Sequence, residues 1–100
     1  MNINKKDLIE ILSNDQNQLP LSDIQLTVNT IIDTMIRTLT KGERIEIRGF
    51  GSFSLHYRKP RMGRNPKTGT TVAINENYVP YFKPGKNLKK RVNDSTEKSI

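Results

Sequence analysis

The chain has 100 residues, which predicts a single domain. Only 33% of the residues are hydrophobic and none is cysteine, so we expect a small core that disulfides cannot reinforce. No apolar run approaches the ~20 residues of a membrane span, and the charged residues 1–7 predict no signal peptide and a cytoplasmic setting.

The net charge of +7 is concentrated in one part of the chain. Residues 54–91 contain ten Lys and Arg and a single acid, Glu76, whereas residues 1–53 contain six Lys and Arg against seven Asp and Glu. This asymmetry favours a polyanionic partner, either nucleic acid or an acidic membrane surface. Since the basic part lacks the period of an amphipathic helix, nucleic acid is the stronger interpretation.

The first half of the sequence predicts two helices. Asn4 is expected to cap a helix over residues 5–15, with Asp7 favouring its N-terminus. Ser22 is expected to cap a second helix that ends near Thr40, with Gly42 just beyond it. The apolar face of this second helix is roughly 140° wide, which suits packing against a second copy of the chain. Together with two aromatic residues further on, the predicted dimer core comprises Ile24, Val28, Ile31, Ile32, Met35, Leu39, Phe50 and Phe53.

Beyond residue 43 the apolar period changes from 3.6 to 2, which is typical of strands. The predicted strands cover residues 44–48, 52–58, 70–74 and 78–82. Residues 49–51 are interpreted as a turn, and Pro80 suits an edge strand. A short helix is expected over residues 86–92, followed by a tail over 93–100. The order of elements predicts an α+β fold. The aromatic residues Phe50, Phe53, Tyr78 and Phe82 are expected in its core.

Residues 58–69 hold five cations, no acid, two prolines and two glycines, with strand-like sequence on both sides. A segment of this composition is either disordered or an arm that lies on a polyanion. The arm cations are Arg58, Lys59, Arg61, Arg64 and Lys67. A solvated charge run is the usual fate of such a segment, but ten cations against one acid would repel one another without a partner, so contact with a polyanion is the favoured interpretation. For Asn65-Pro66 alone, a simple hairpin turn is the favoured interpretation.

Three sequence blocks carry a resemblance to a known family. They are Glu-Arg-Ile-Glu-Ile-Arg-Gly-Phe-Gly-Ser-Phe at 43–53, Gly-Arg-Asn-Pro-Lys-Thr-Gly at 63–69 and Phe-Lys-Pro-Gly-Lys at 82–86. In wording, order and spacing they resemble the bacterial HU/IHF family of DNA-bending proteins over residues 3–92. The first block, with Ser-Leu-His-Tyr-Arg at 54–58, is closest to the beta-type subunits of integration host factor.

The resemblance implies a fold and a partner. Two N-terminal helices and a three-stranded antiparallel sheet would form an intertwined dimer body, with a β-ribbon arm at about residues 56–75 and a short C-terminal helix. The partners would be double-stranded DNA and a second subunit, either an alpha-type chain or a second copy. The protein would be nucleoid-associated in the bacterial cytoplasm and act in recombination, replication and the control of transcription and translation. No cofactor, metal, membrane or small-molecule substrate is implied.

The resemblance also implies residue roles. As in other members of the family, Pro66 would insert between base pairs from the minor groove and hold a kink. Glu46 would brace Arg44 and Arg48, and these three residues are the candidates for sequence selectivity. On the residues alone, an exposed strand with cross-strand ion pairs is the favoured interpretation. The expected DNA-binding residues are Lys5, Arg44, Glu46, Arg48, Arg58, Lys59, Arg61, Arg64, Asn65, Pro66, Lys67, Lys83 and Lys86.

Other classes of function have less support. An HU-like protein without sequence preference would share the fold, and a basic RNA-associated scaffold would share the charge. An enzyme is not expected, because His56 is the only histidine, cysteine is absent and no carboxylate pair stands out. Gly63 and Gly69 are separated by five residues rather than four, and Thr70 stands where a phosphate-binding loop needs lysine.

Overall fold

A computed structural model describes residues 2–95 and divides the chain into two compact units, one ending at Arg37 and the other beginning at Thr38. In chain order the elements are α1 (Lys5–Asp15), α2 (Leu21–Thr40), β1 (Ile45–Ile47), β2 (Gly51–Arg58), β3 (Arg61–Arg64), β4 (Thr71–Ile74), β5 (Asn77–Pro84) and α3 (Lys86–Asp94). Helices and antiparallel strands in this order confirm the predicted α+β fold. No helix among the described residues is both long enough and apolar enough to span a membrane.

Helix α1 begins where its capping residues predict. The Asn4 side chain accepts a hydrogen bond from the Asp7 amide at 2.9 Å, and the Asp7 carboxylate accepts one from the Asn4 amide at 3.2 Å. This reciprocal capping box satisfies two N–H groups that would otherwise lack a partner. The prediction for residues 5–15 is confirmed at both ends.

Helix α2 begins at Leu21, two residues earlier than a Ser22 cap requires, so that prediction is wrong. The Pro20 carbonyl accepts the amides of Asp23 and Ile24 at 3.1 and 3.3 Å, which places Ser22 inside the first turn. Proline is tolerated at this position because a residue before the first turn has no intrahelical N–H hydrogen bond to lose, while its carbonyl can still accept.

The C-terminus of α2 was predicted correctly. Gly42 has a φ of +80°, and its amide donates to the Leu39 carbonyl at 2.9 Å. The Glu43 amide donates to the Thr38 carbonyl at 3.1 Å, so the helix ends in a Schellman motif.

The N-terminal unit buries few apolar side chains. Among the described residues the buried hydrophobic core consists of Ile9, Ile24 and Val28, with Leu12 and Ile32 packed against it. Of the other residues predicted for a dimer core, Ile31 is 55% exposed and Met35 and Leu39 are half-buried. A single copy of the chain therefore leaves much of the apolar face of α2 open.

The second unit contains a three-stranded antiparallel sheet in the order β1-β2-β5, which makes β5 an edge strand as Pro80 predicted. Phe53 lies opposite Phe82 with ring centroids 4.8 Å apart, and Phe50 lies 5.1 Å from Phe82. Tyr78 does not join this cluster. It is 64% exposed, because it pairs with Tyr57 near the end of β5 farthest from the phenylalanines, and its core assignment was wrong.

Helix α3 follows β5 directly. Gly85 caps it, and the Gly85 amide donates to the Phe50 carbonyl at 2.9 Å, which ties the helix start to the turn between β1 and β2. The helix extends to Asp94, so residues 93 and 94 belong to it rather than to the predicted tail. Ser95 follows as the C-cap of the helix, and residues 96–100 of the predicted tail lie outside the described residues.

The basic stretch is a strand in part, not only the loop expected from its composition. Strand β3 pairs with β4 from Arg61 opposite Ile74 to Arg64 opposite Thr71. This pairing keeps the register of β2 and β5, whose last pair is Arg58 opposite Asn77. The arm is therefore an extension of two body strands with their register unchanged.

Candidate nucleic-acid interface

A polar row crosses one face of the three-stranded sheet, and side chains alternate between the two faces of each strand. Glu46 lies opposite Ser52, and Ser52 lies opposite Lys83, so the three form one row across the sheet. The adjacent positions, Phe53 and Phe82, point to the other face and form the aromatic cluster. Strand alternation thus separates the candidate binding face from the core.

Five of the residues predicted from sequence meet in one open groove of about 790 Å³ on this unit. They are Arg44, Glu46, Arg48, Lys83 and Lys86. Lys89 also lines the groove and was missed, although its position one helical turn after Lys86 was the available signal. The groove concentrates five cations around one carboxylate.

The carboxylate in the groove braces one of the two neighbouring arginines. Arg44 donates from Nη2 to Glu46 Oε1 at 2.9 Å, with both side chains exposed. The predicted contact between Glu46 and Arg44 is confirmed, whereas bracing of Arg48 stays a prediction. An exposed ion pair of this kind orients side chains more than it stabilises the fold.

The start of α3 adds backbone donors beside the lysines of the groove. No side chain caps the helix, and its first turn contains no acid. The N-terminus of a helix attracts anions through its unpaired amides and its dipole. Lys83, Gly85 and Lys86 therefore form a surface suited to phosphate oxygens.

The tip of the arm is a closely hydrogen-bonded hairpin. The Asn65 amide donates to the Thr70 carbonyl at 2.8 Å, and the Gly69 amide donates to the Asn65 carbonyl at 2.7 Å. The Asn65 side chain accepts the Lys67 amide at 2.9 Å, and Gly69 adopts a φ of +73°. Pro66 is exposed at the first position of this loop, so the turn presents its ring to solvent.

The arm cations are all exposed but do not share one side of the ribbon. Arg61 lies opposite Ile74 and Arg64 lies opposite Thr71, three positions along, so the two arginines point to opposite faces. The Ile74 side chain covers Gly63, where a Cβ would collide with it. The ribbon is thus thin and carries positive charge on both faces.

Comparison with known proteins identifies a DNA-binding family, as the basic groove and arm suggest. The profile of the family described as bacterial DNA-binding protein matches residues 3–93. The chain belongs to this family, the HU/IHF family. The match covers almost the same residues as the resemblance of the three sequence blocks.

Relatives within the HU/IHF family are similar over nearly their whole length. Integration host factor subunit beta of Hahella chejuensis is 59% identical over 91% of this chain and 93% of its own. The subunit of the same name from Pseudoalteromonas atlantica is 57% identical over 90% of this chain and 94% of its own. The family consists of DNA-binding proteins and not of enzymes, in agreement with the prediction that the chain is not an enzyme.

A solved structure of an HU/IHF protein has the same fold. The Anabaena HU–DNA cocrystal structure superposes with a TM-score of 0.82 at 29% identity, covering 93% of this chain and all of that chain.

Among residues 2–95, no group of three or more His, Cys, Asp or Glu is placed to hold a metal ion.

A side-chain cluster at the base of the arm was not predicted from the sequence. The Tyr57 hydroxyl donates to Glu76 Oε2 at 2.7 Å, and the Tyr57 and Tyr78 ring centroids lie 5.3 Å apart. The hydrogen bond to the Glu76 carboxylate, with smaller contributions from partial burial and from Tyr78, raises the pKa of Tyr57 above its usual value of 10.0. The available signal was Glu76 itself, the lone acid of the basic segment.

We expect the ionisation of Tyr57 to report this hydrogen bond. Since the bond stabilises the neutral phenol, its contribution to stability is complete below pH 10 and is lost as the pH rises through the elevated pKa. In an absorbance titration at 295 nm, Tyr57 should ionise late, and Glu76→Ala should lower its pKa towards the usual value because the largest cause of the shift is removed. A late step that persists in Tyr57→Phe would assign it to another tyrosine.

Lys5 stands apart from the other expected DNA-binding residues. It is the first residue of α1, is exposed, and belongs to the N-terminal unit, whereas all the others belong to the second unit. Its role toward DNA stays a prediction.

Proposed function

We propose that this chain is a beta-type subunit of integration host factor, an architectural protein that acts as a dimer, binds the minor groove of duplex DNA and bends it sharply. One observation carries the proposal: a two-stranded ribbon, in register with the body sheet, presents Pro66 at a hydrogen-bonded tip among exposed cations. Integration host factor beta subunits are its relatives at 57–59% identity, which favours this subunit type over HU.

The cations of the groove and the arm supply the affinity. Each Lys or Arg that neutralises a phosphate releases condensed counterions, which drives binding in a salt-dependent way. The groove lined by Arg48, Lys83, Lys86 and Lys89 would hold phosphates beside the body, while the arm follows the minor groove. Such contacts set position rather than sequence.

Pro66 supplies the kink. Its ring is rigid and apolar and its nitrogen has no hydrogen, so it can enter a base step without leaving a donor unsatisfied. Unstacking one step costs on the order of a few kcal/mol, which contacts to the bent flanks offset. Among the arm residues, Pro66 would kink the duplex, and the cations would neutralise its phosphates.

The dimer follows from the open apolar face of α2. A core of three buried side chains is small for this unit, and Ile31 is exposed on the same helix. A second subunit covering Ile31 and Met35 would complete the core of this unit and add a second arm. The partner is an alpha-type chain or a second copy.

Selectivity would depend on the body rather than the arm. Arg44, fixed by Glu46, and Arg48 line the groove, where side chains held in one geometry can favour one base step over another. This arrangement supports sequence-selective binding rather than the non-specific binding of an HU-like protein. The resemblance to beta-type subunits of integration host factor is the basis for proposing a nucleoid-associated role in recombination, replication and gene control.

Replacing Arg58 and Arg61 by Ala should flatten the salt dependence of DNA binding. Each lost phosphate contact is expected to reduce the slope of log K against log salt by about 0.9. The slope is measured by fluorescence anisotropy at several salt concentrations. The pair Arg37→Ala and Lys41→Ala removes the same charge outside the arm and should change the slope less. Equal slopes for wild type and the Arg58/Arg61 variant would show that these arginines do not neutralise phosphates.

The proposal as a whole is tested by native mass and competition binding. The purified chain should have the mass of a dimer, alone or with an alpha-type chain, and at physiological salt should prefer a candidate bent site to random duplex. Equal affinity for the two duplexes would favour the HU-like alternative. Tighter binding to duplex RNA than to DNA would favour a basic RNA scaffold instead.

A further inference from the structure

The joint between the arm and the body lacks regular strand pairing. The β2–β5 ladder ends at Arg58 opposite Asn77, and the β3–β4 ladder begins at Arg61 opposite Ile74. On each side of the arm, two residues between these pairs are not part of any strand: residues 59–60 and residues 75–76. Pro60 has no amide hydrogen to donate there. Backbone pairing alone therefore holds the arm weakly at this joint.

A side-chain hydrogen bond lies at the same joint. Tyr57 is on the body strand β2, while Glu76 is in the unpaired segment of the returning strand, and their 2.7 Å hydrogen bond connects the two. Tyr78, directly opposite Tyr57, packs its ring against it from β5. Since Tyr57 is 52% and Tyr78 64% exposed, burial does not force these contacts. The cluster consists of directed interactions on an exposed surface.

We propose that Tyr57 and Glu76 are positioning residues that hold the arm in line with the body sheet before DNA binds. The proposal rests on the function proposed above, because an arm fixed beforehand loses less conformational entropy when it enters the groove. It also gives a use to the only carboxylate of the basic segment. Bound to a neutral phenol, Glu76 is held at the base of the arm.

A simpler explanation of Glu76, that it acts only through its charge, predicts a different result for the two substitutions. If Glu76 acted only as a negative charge near DNA, Tyr57→Phe would leave binding unchanged and Glu76→Ala would strengthen it. If the pair positions the arm, both substitutions loosen the arm and slow association. Tyr57→Phe is the sharper variant, because it removes one hydroxyl and keeps the ring that contacts Tyr78.

Hydrogen–deuterium exchange on the free protein tests the positioning role. In Tyr57→Phe, amides of β3 and β4 should exchange about threefold to tenfold faster, as expected for losing one hydrogen bond, while those of β2 and β5 stay unchanged. Tyr81→Phe is the matched control, since Tyr81 lies on the same sheet and stacks on His56 rather than contacting Glu76. Unchanged exchange in β3 and β4, or an equal increase throughout the sheet, would overturn the proposal.

Two further measurements separate this proposal from the proposed function. Glu76→Ala should match Tyr57→Phe, and the double variant should exchange no faster than either, because both remove one interaction; additive increases would contradict the coupling. With labelled duplex, Tyr57→Phe should bind about threefold to tenfold more slowly but bend the DNA to the same final angle. If wild type failed to bend DNA, the proposed function would fall while the exchange result still decided the positioning role.

Discussion

Replacing Pro66 by Ala is expected to reduce the bend of bound DNA by tens of degrees while leaving most of the salt-dependent affinity intact. The hydrogen bonds of the tip use the amides of Asn65, Lys67, Gly69 and Thr70, and none needs the proline ring. Alanine therefore keeps the hairpin and its cations but removes the wedge. The substitution separates presentation of the tip from insertion between bases.

The bend is measured by energy transfer between dyes at the two ends of a duplex saturated with protein. Pro20→Ala serves as the matched control, because Pro20 precedes α2 and its carbonyl, which caps the helix, is retained. Energy transfer should fall clearly for Pro66→Ala and not for Pro20→Ala. An unchanged bend angle in Pro66→Ala would remove the wedge from the mechanism.

Replacing Gly51 by Ala is expected to have the largest effect on stability. A Cβ at this position would lie 2.5 Å from the Lys83 carbonyl oxygen and 2.8 Å from the Phe82 ring. The backbone oxygen cannot move away without separating β2 from β5, so we expect a loss of about 2–4 kcal/mol in the free energy of unfolding. The same displacement would shift Lys83 in the groove.

Chemical denaturation of the two variants Gly51→Ala and Gly85→Ala provides the comparison. A Cβ at Gly85 would meet its nearest neighbour, the Phe50 carbonyl oxygen, at 3.6 Å, an ordinary contact, so this control should lose less than about 1 kcal/mol. The free energy of unfolding is obtained from the midpoint and slope of each transition. If Gly51→Ala were as stable as Gly85→Ala, the close packing of β2 on β5 would be in doubt.

Local rules predicted the parts of the fold whose signals lie close together in sequence. Asn4 and Asp7 are three residues apart and form the capping box, and Gly42 follows α2 directly. The cap of α2 was misassigned because a serine is the usual signal, whereas here the Pro20 carbonyl accepts the first hydrogen bonds. N-cap preferences rank the residue types that favour a cap. They do not determine at which residue of the chain the helix begins.

Strand β3 was missed because its sequence gives no strand signal. Arg61-Met62-Gly63-Arg64 contains a glycine, does not alternate and follows a proline. It becomes a strand through pairing with β4, whose Thr-Val-Ala-Ile sequence is strand-like, and through the register already set by β2 and β5. Pairing of this kind depends on the partner strand more than on the sequence itself.

Part of the candidate site was predictable from the sequence, and part of it was not. The alternation around Glu46 and the matched block at 82–86 predicted residues of the groove, where Arg44, Glu46, Lys83 and Lys86 are found. The hydrogen bond between Tyr57 and Glu76 joins residues 19 positions apart, so it could be found only once the register was known. Contacts between residues this far apart in the sequence can be identified only from the three-dimensional structure.

Removing the arm shows whether the arm bends DNA. Residues 59–76 can be replaced by Asn-Gly, since Arg58 and Asn77 are the last pair of the body ladder and a two-residue turn can join them. End-to-end energy transfer on a labelled duplex should rise strongly with wild type and stay at the free-DNA value with the armless variant, although both form dimers. Equal bending by the two proteins would show that the arm does not bend the DNA.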